Sequence, residues 1–481
     1  MMIRIILACL SVLPLAWGQR DFFEMEPTKY SEAVATDPMA MLAAAWKSGK
    51  KPLPDKSDPL EVLKVVLKEL EVPIESQGLV YSKTSKQNNL ITPQNPRSVF
   101  FGDNAYVGYV PGGDIEVAAM DPVLGPVFYL LHVNQVGEGE WVMRANSCLQ
   151  CHGTSRTELV PGLLVRSVFV QEDGHPLLGA GTFLTTHASP LKARWGGWFV
   201  TGIHGEARHM GNTIAVELDD GGVEFDFEHG ANWTSLEGKV NTSKYLAKTS
   251  NIVALMVLEH QCKMDNLLNK ASLEYRRLVY LQKAINPETD IKADGMAARA
   301  AKDLAEQIVR YMLFTDEMDL GDGVEGDGAF SAAFEARGPM NEGGDSLRDL
   351  RLYGRLFKNR CSYMIYSTAF QNLPPQVRDR VLERLREVLT SEEREEKFSH
   401  LKSSECQRIL GILRDHFNPP GFAGGMVRMA PLPLRGTIPP QAPATSKKFC
   451  DEALFRGGSL GSVPRWRIGT RDSDDWLEVI L

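Results

Sequence analysis

The chain carries no surplus of positive charge: 53 Lys and Arg stand against 61 Asp and Glu, a formal net charge of −8. Nucleic acid and a polybasic membrane contact both need concentrated Lys and Arg, so neither is expected as a partner. Past the N-terminus no apolar run approaches the ~20 residues that cross a bilayer, which argues against an integral membrane span. There is no internal repeat, no Gly-x-Ser-x-Gly elbow, no His-Glu-x-x-His, no phosphate-cradling loop and no nucleotide fingerprint. What remains is ordinary: 481 residues, 43% hydrophobic and 24% charged. That is the composition of a soluble globular chain of two or three folding units.

The N-terminus reads as a targeting segment. Met1-Met2-Ile3-Arg4 supplies one positive charge, Ile5 to Leu15 is apolar, and Ala16-Trp17-Gly18 sets small residues where a signal peptidase cuts. Residues 1–18 are therefore expected to be removed, leaving a periplasmic or otherwise exported chain. Of seven cysteines, Cys9 would leave with that segment. Cys262, Cys361, Cys406 and Cys450 allow three disulfide pairings, and spacing does not choose among them.

The expected fold class is α+β, a β-rich N-terminal half followed by an all-helical C-terminal half. Residues 19–77 form a helical lead-in, with helices near Asp37 to Lys47 and after Asp58-Pro59, an N-cap followed by proline at the first helical position. Residues 78–241 are strand-like. Ser98 to Phe101, Ala105 to Val110, Val127 to Val133, Leu163 to Val170, Trp198 to Ile203 and Thr213 to Leu218 are rich in branched and aromatic residues. Asp219-Asp220-Gly221-Gly222 is the clearest hairpin turn, between Thr213 to Leu218 and Val223 to Phe227. Residues 242–417 turn helical. Ser250 is placed to cap a long helix, and others are expected near Ala297–Thr315, Ser346–Lys358, Ser362–Phe370, Pro375–Leu389 and Ser403–Asp415. Glu317 to Gly328 reads as a solvated acidic loop, and 418–481 as a Pro/Gly-rich linker and tail.

One motif carries chemistry. Asn146-Ser147-Cys148-Leu149-Gln150-Cys151-His152-Gly153 contains Cys-x-x-Cys-His, a pattern chance supplies roughly once in several hundred chains of this composition. Two thiols two residues apart reach both vinyl groups of one porphyrin, and the adjacent histidine falls beneath its iron. A thioredoxin-type pair would want a strand-to-helix setting, a structural zinc site a fourth ligand, and a plain disulfide leaves the histidine unexplained. The segment resembles the attachment site of c-type cytochromes, a likeness that covers the motif and not the chain. Its strand-like flanks, Val142 to Arg144 and Leu163 to Val170, look more like PAS-like haem c sensor domains than like small all-helical cytochromes. The stretch through Arg194 to Trp198 and Arg208 to Asn212 also resembles uncharacterised exported bacterial mono-haem proteins.

The resemblance implies one covalent haem c on Cys148, Cys151 and His152, with His152 the proximal iron ligand. Met210 or His209, in a glycine-bounded loop, are the leading distal candidates. His260, on an apolar helix stripe with Met256, Met264 and Leu267, is a further one, and His204 and His187 are lesser ones. Arg194, Trp195 and Trp198 are candidate haem contacts, Arg194 through a propionate. The expected function is single-electron transfer with a redox partner protein. The alternative is a haem-dependent oxidoreductase, or a redox or gas sensor with an open sixth position.

Overall fold

Aspartate–proline pairs begin the first two helices of the computed structural model, which describes residues 21–133, 141–219, 222–288, 290, 295–417 and 466–468. The expected signal segment lies outside these residues, as does all of the expected tail but 466–468. In α1 (Pro38–Lys47) the Asp37 carboxylate accepts from the backbone N–H of Met39 and Ala40. In α2 (Pro59–Glu69) Asp58 does the same for Leu60 and Glu61. Each cap satisfies donors that the first turn leaves open.

Strands β1 (Gly78–Val80), β2 (Arg97–Phe101), β3 (Ala105–Tyr109), β4 (Ile115–Asp121), β5 (Gly125–Leu131) and β6 (Val142–Arg144) follow. A single helical turn, α3 (Leu149–His152), leads to β7 (Arg166–Val168), β8 (Thr182–Leu184), β9 (Trp198–Phe199), β10 (Val216–Glu217) and β11 (Val223–Phe225). Seven strands form one antiparallel sheet in the order β6-β5-β4-β3-β2-β1-β9. β7 pairs with β8. β10 and β11 pair as the hairpin expected there, and 466–468 adds a third strand to it.

The large sheet is covered on both faces. Phe100, Val107, Tyr109, Ile115, Val117, Val127 and Leu131 pack with Val62, Leu63, Val66 and Leu67 of α2 and with α1. Tyr106, Ala118 and Phe128 point the other way, into a larger core shared with the C-terminal helices. Burial on both faces explains why β3 is buried at every position.

The second half is built on α4 (Ile252–Ile285), 34 residues long and so roughly 50 Å. Around it lie α5 (Met296–Met312), α6 (Ala329–Ala336), the hairpin β12 (Leu350–Tyr353) and β13 (Arg355–Phe357), α7 (Thr368–Gln371), α8 (Pro375–Thr390) and α9 (Ser403–Phe417). The α+β class is as expected, but two details differ. Asn251, not Ser250, caps α4, accepting from Val253 and Ala254. Ser250 is used instead to tie the helix entry to the sheet, donating to Phe199 O and accepting from Leu79 N. The C-terminal half is not all-helical, because Leu350–Phe357 is a hairpin whose Leu352 and Gly354 have positive φ, 63° and 64°, which no helix tolerates. No helix among the described residues is long and apolar enough to cross a membrane.

Candidate functional site

The Cys-x-x-Cys-His segment sits beside β5, tied to it where the Ala145 N–H donates to Phe128 O at 2.7 Å. A 3-10 turn over Asn146–Cys148 runs into α3, and the Gly153 N–H closes it on Leu149 O at 2.8 Å. Residues three apart on a helical turn share a face, which brings both thiols to one side. Both are free, Cys148 half-buried and Cys151 exposed. Burial pushes the Cys148 thiol up from its ordinary value. A side chain at Gly153 would come within 3.0 Å of both Leu149 O and the Phe23 ring, so the turn has little room for one.

His152 is held from behind. Its Nδ1 lies 2.8 Å from Gly162 O, and because a carbonyl only accepts, Nδ1 carries the proton and Nε2 keeps its lone pair. The Gly162 N–H returns to His152 O at 2.8 Å. Burial lowers the His152 pKa, favouring the neutral ring, and Phe128 packs against it with ring centres 5.0 Å apart. Helix α4 grips the other side of this segment. Asn266 accepts from Leu163 N at 2.7 Å and donates to Leu163 O at 2.6 Å, while Asn269 donates to Pro161 O at 2.6 Å. Lys263 and Lys270 both pair with Glu158. A Cβ at Gly162 would lie 2.5 Å from Asn266 Oδ1, so only glycine fits between clamp and imidazole.

The motif opens onto a cavity of about 190 Å³ lined by Cys148, Cys151 and His152. Its floor is the second face of the sheet, with Val99, Tyr106, Gly108, Ala118 and Phe128. Gly108 and Ala118 put little side chain at its centre. A Cβ on Gly108 would meet Arg97 Nη2 at 2.3 Å, so the glycine lets the guanidinium lie across the sheet. Leu163 to Arg166, Trp198, Leu258 and Cys262 complete the walls. Lys86, Arg97 and Arg166 bring three cations to the lining against one carboxylate, Glu116. Glu116 pairs with Arg97 at 2.5 Å. Burial would raise its pKa, yet Arg97, Gln87 and Ser85 together hold it below the ordinary carboxylate value. Arg97 Nε is buried without a partner.

Of the other candidate haem ligands and contacts read from sequence, Trp198 lines this cavity; the rest do not. Arg194 is spent on Glu259, at 2.8 Å, and on the carbonyls of His187 and Ser189. Trp195 is wholly buried in the core behind it. Met210 lies in a separate small core with Phe169 and Phe225, its sulfur accepting from Ser167 Oγ at 3.6 Å. His209 packs on His204 and Trp195, and its Nδ1 accepts from Gly211 N. His204 uses both ring nitrogens on Ala207 O and Asn232 N. His260 meets His187 at 2.9 Å and Ser362 at 2.7 Å, and burial drives its pKa far down. The reason is helical geometry. Cys262 faces the cavity, and two residues back along a helix is about 200° around it, which turns His260 toward Tyr311 and Phe314.

Sequence reasoning missed Arg97, Tyr106, Glu116 and Cys262 as neighbours of the motif, since strand register and α4 alone bring them there. Among the described residues no group of three or more His, Cys, Asp or Glu is placed to hold a metal ion. Comparison of the chain with protein families, curated proteins and solved structures finds no match.

Proposed function

We propose that the chain is an exported c-type haem protein that exchanges single electrons with a redox partner, its one haem held by Cys148, Cys151 and His152. The observation that carries this reading is the conjunction at α3. Two free thiols and a neutral imidazole share one turn, and they border an apolar cavity. The imidazole already has its Nδ1 proton committed to Gly162 O, the arrangement that orients a ligating histidine. Nε2 has no hydrogen-bond partner among the described residues, leaving its lone pair available. The donor set therefore fits a porphyrin bearing two vinyl groups and an iron.

Arg97, with its unpartnered Nε, and the cations Lys86 and Arg166 suit the two propionates of such a group. The apolar face made by Val99, Ala118, Phe128 and Leu163 would exclude water from its ring. When bound, the haem supplies a one-electron couple whose potential depends on burial and on the second axial ligand.

A specific observation favours a second reading at the same site, an iron with an open sixth position. Every histidine and methionine considered as distal ligand is engaged away from the cavity. Such a protein would bind small molecules, as a haem-dependent oxidoreductase or a redox or gas sensor.

Protein matured alongside a haem-attachment system is the material for both tests. A pyridine haemochrome should report one haem bound through two thioethers, and Cys148→Ala or Cys151→Ala should shift the band to the single-thioether form. A colourless wild-type protein with both thiols reactive would refute the haem reading. Rapid CO uptake by the reduced form supports the open position, and its absence returns the site to a closed, six-coordinate iron.

A further inference from the structure

We infer that Tyr106 is a redox-active phenol at the cavity wall, with Asp265 as its built-in proton acceptor. The inference rests on the haem reading with an open sixth position. Tyr106 lines the cavity, and its O–H donates to Asp265 Oδ2 at 2.6 Å. Asp265 is 1% exposed, and its Oδ1 is buried with no hydrogen-bond partner. A carboxylate buried only to satisfy a phenol would normally have both oxygens engaged, since an orphaned buried acceptor costs about 1–3 kcal/mol. Burial pushes the Asp265 carboxyl up to about 7, against the pull of Tyr106, so it is a better base than an exposed aspartate.

The molecule contains its own contrasts. Tyr129, also in the cavity lining, donates to an aspartate, Asp37, at 2.5 Å, but its ring packs in the opposite core and Asp37 Oδ1 is committed to capping α1. Tyr363 donates at 2.6 Å to the amide oxygen of Gln261, a group that does not accept a proton, and the Arg348 guanidinium lies 4.3 Å from its ring centre, opposing positive charge there. Among these three, Tyr106 alone donates to a carboxylate whose other oxygen is uncommitted. Gln261 Nε2 donates to the phenol oxygen at 2.9 Å and would hold it in place once its proton has left.

The oxidant would be hydrogen peroxide, whose O–O bond breaks as it takes up two electrons and two protons and leaves as two waters. A bound haem would supply one of these electrons and draw the other from the phenol: the Tyr106 O–H bond breaks, the electron leaves the ring, and the proton forms a new O–H bond on Asp265 Oδ2. Tyr106 is left as a neutral phenoxyl radical.

The test is electron paramagnetic resonance on haem-loaded full-length protein, frozen rapidly after hydrogen peroxide is added. A tyrosyl signal that narrows with ring-deuterated tyrosine is expected in the wild type and in Tyr129→Phe. It should vanish in Tyr106→Phe and fall several-fold in Asp265→Asn. An undiminished signal in Tyr106→Phe, or a sulfur-centred one lost in Cys262→Ala, overturns the inference. Should Tyr106→Phe fail to take up haem, Asp265→Asn decides, and an unchanged yield there overturns it. Haem-bearing, CO-binding wild type without a tyrosyl signal sinks this step alone. A chain without haem, or haem that rejects CO, sinks the underlying reading and this step with it.

Discussion

Replacing Asn266 with alanine should destabilise the protein more than any other single change in the clamp behind His152. The side chain accepts from Leu163 N at 2.7 Å and donates to Leu163 O at 2.6 Å, and Leu163 is 6% exposed. Alanine leaves both backbone groups without a partner, at about 1–3 kcal/mol each. Leu163 lines the cavity, so water can partly satisfy one of the two groups, which puts the expectation in the lower half of the summed range, about 2–4 kcal/mol. Guanidinium unfolding of the chain measures it as a lower midpoint at unchanged slope. Asn269→Ala removes one bond, to Pro161 O, and should cost about 1–2 kcal/mol. Asn266→Asp keeps the acceptor for Leu163 N but sets a carboxylate against Leu163 O, so it should be no better than alanine. The same clamp fixes Gly162 O on His152 Nδ1. On the proposed haem reading Asn266→Ala should also move the midpoint potential, because that hydrogen bond would tune a ligating imidazole. A loss under about 0.5 kcal/mol, or the reverse ranking of Asn266→Ala and Asn269→Ala, would refute the reasoning.

Other expectations concern charge and packing. Asp265 is pushed up to about 7 by burial, above its unfolded value, so its contribution is whole below about pH 4 and lost as pH rises through about 7. Asp265→Asn should flatten that decline between about pH 4 and 7 in a stability-against-pH curve, and an unaltered slope would contradict it. His187 and His260 act oppositely. Burial depresses His187 to about 3 and His260 well below its ordinary value. Stability should therefore fall as pH drops below about 6.5, where only the unfolded chain takes up their protons. A joint His187→Gln, His260→Gln variant should show a shallower acid limb. Gly162→Ala forces a Cβ to 2.5 Å from Asn266 Oδ1 and should cost about 1–3 kcal/mol, read as a lowered melting midpoint. A neutral result would mean the clamp has slack.

What could be read from sequence was what is local. Asp37-Pro38 and Asp58-Pro59 announced α1 and α2 because a cap and a proline act within one turn. Cys148, Cys151 and His152 were legible for the same reason, lying within five consecutive residues. β4 (Ile-Glu-Val-Ala-Ala-Met-Asp) went unread although it lies in the middle of the sheet. Both its faces are buried, so no alternation of polar and apolar residues marks it, and its two alanines weaken the strand signal. The Leu350–Phe357 hairpin reads as helical because Leu347, Leu350, Tyr353 and Phe357 fall at steps of three and four, while the positive φ of Leu352 carries no mark in the sequence. The cavity wall was illegible in principle. Arg97, Tyr106 and Glu116 meet only through the registers Val99↔Gly108 and Gly108↔Glu116.

The size of the helical half has a physical rationale in α4. Leu258 and Cys262 on this helix wall the cavity. Gln261 and Asp265 hold the Tyr106 phenol, and Lys263, Asn266, Asn269 and Lys270 hold the segment behind His152. Steps of three and four residues keep such groups on one side of a helix. A loop that must hold one side chain in place would drift if tied only to strand ends, since connecting segments have few contacts of their own. Here it is bolted to a helix whose opposite side is buried against α5, α6 and α7 through Met256, His260, Met264 and their neighbours. The helical half is thus the rigid backing that keeps one imidazole at one angle, and loosening α5 against α4 should be felt at His152 before it is felt in the sheet.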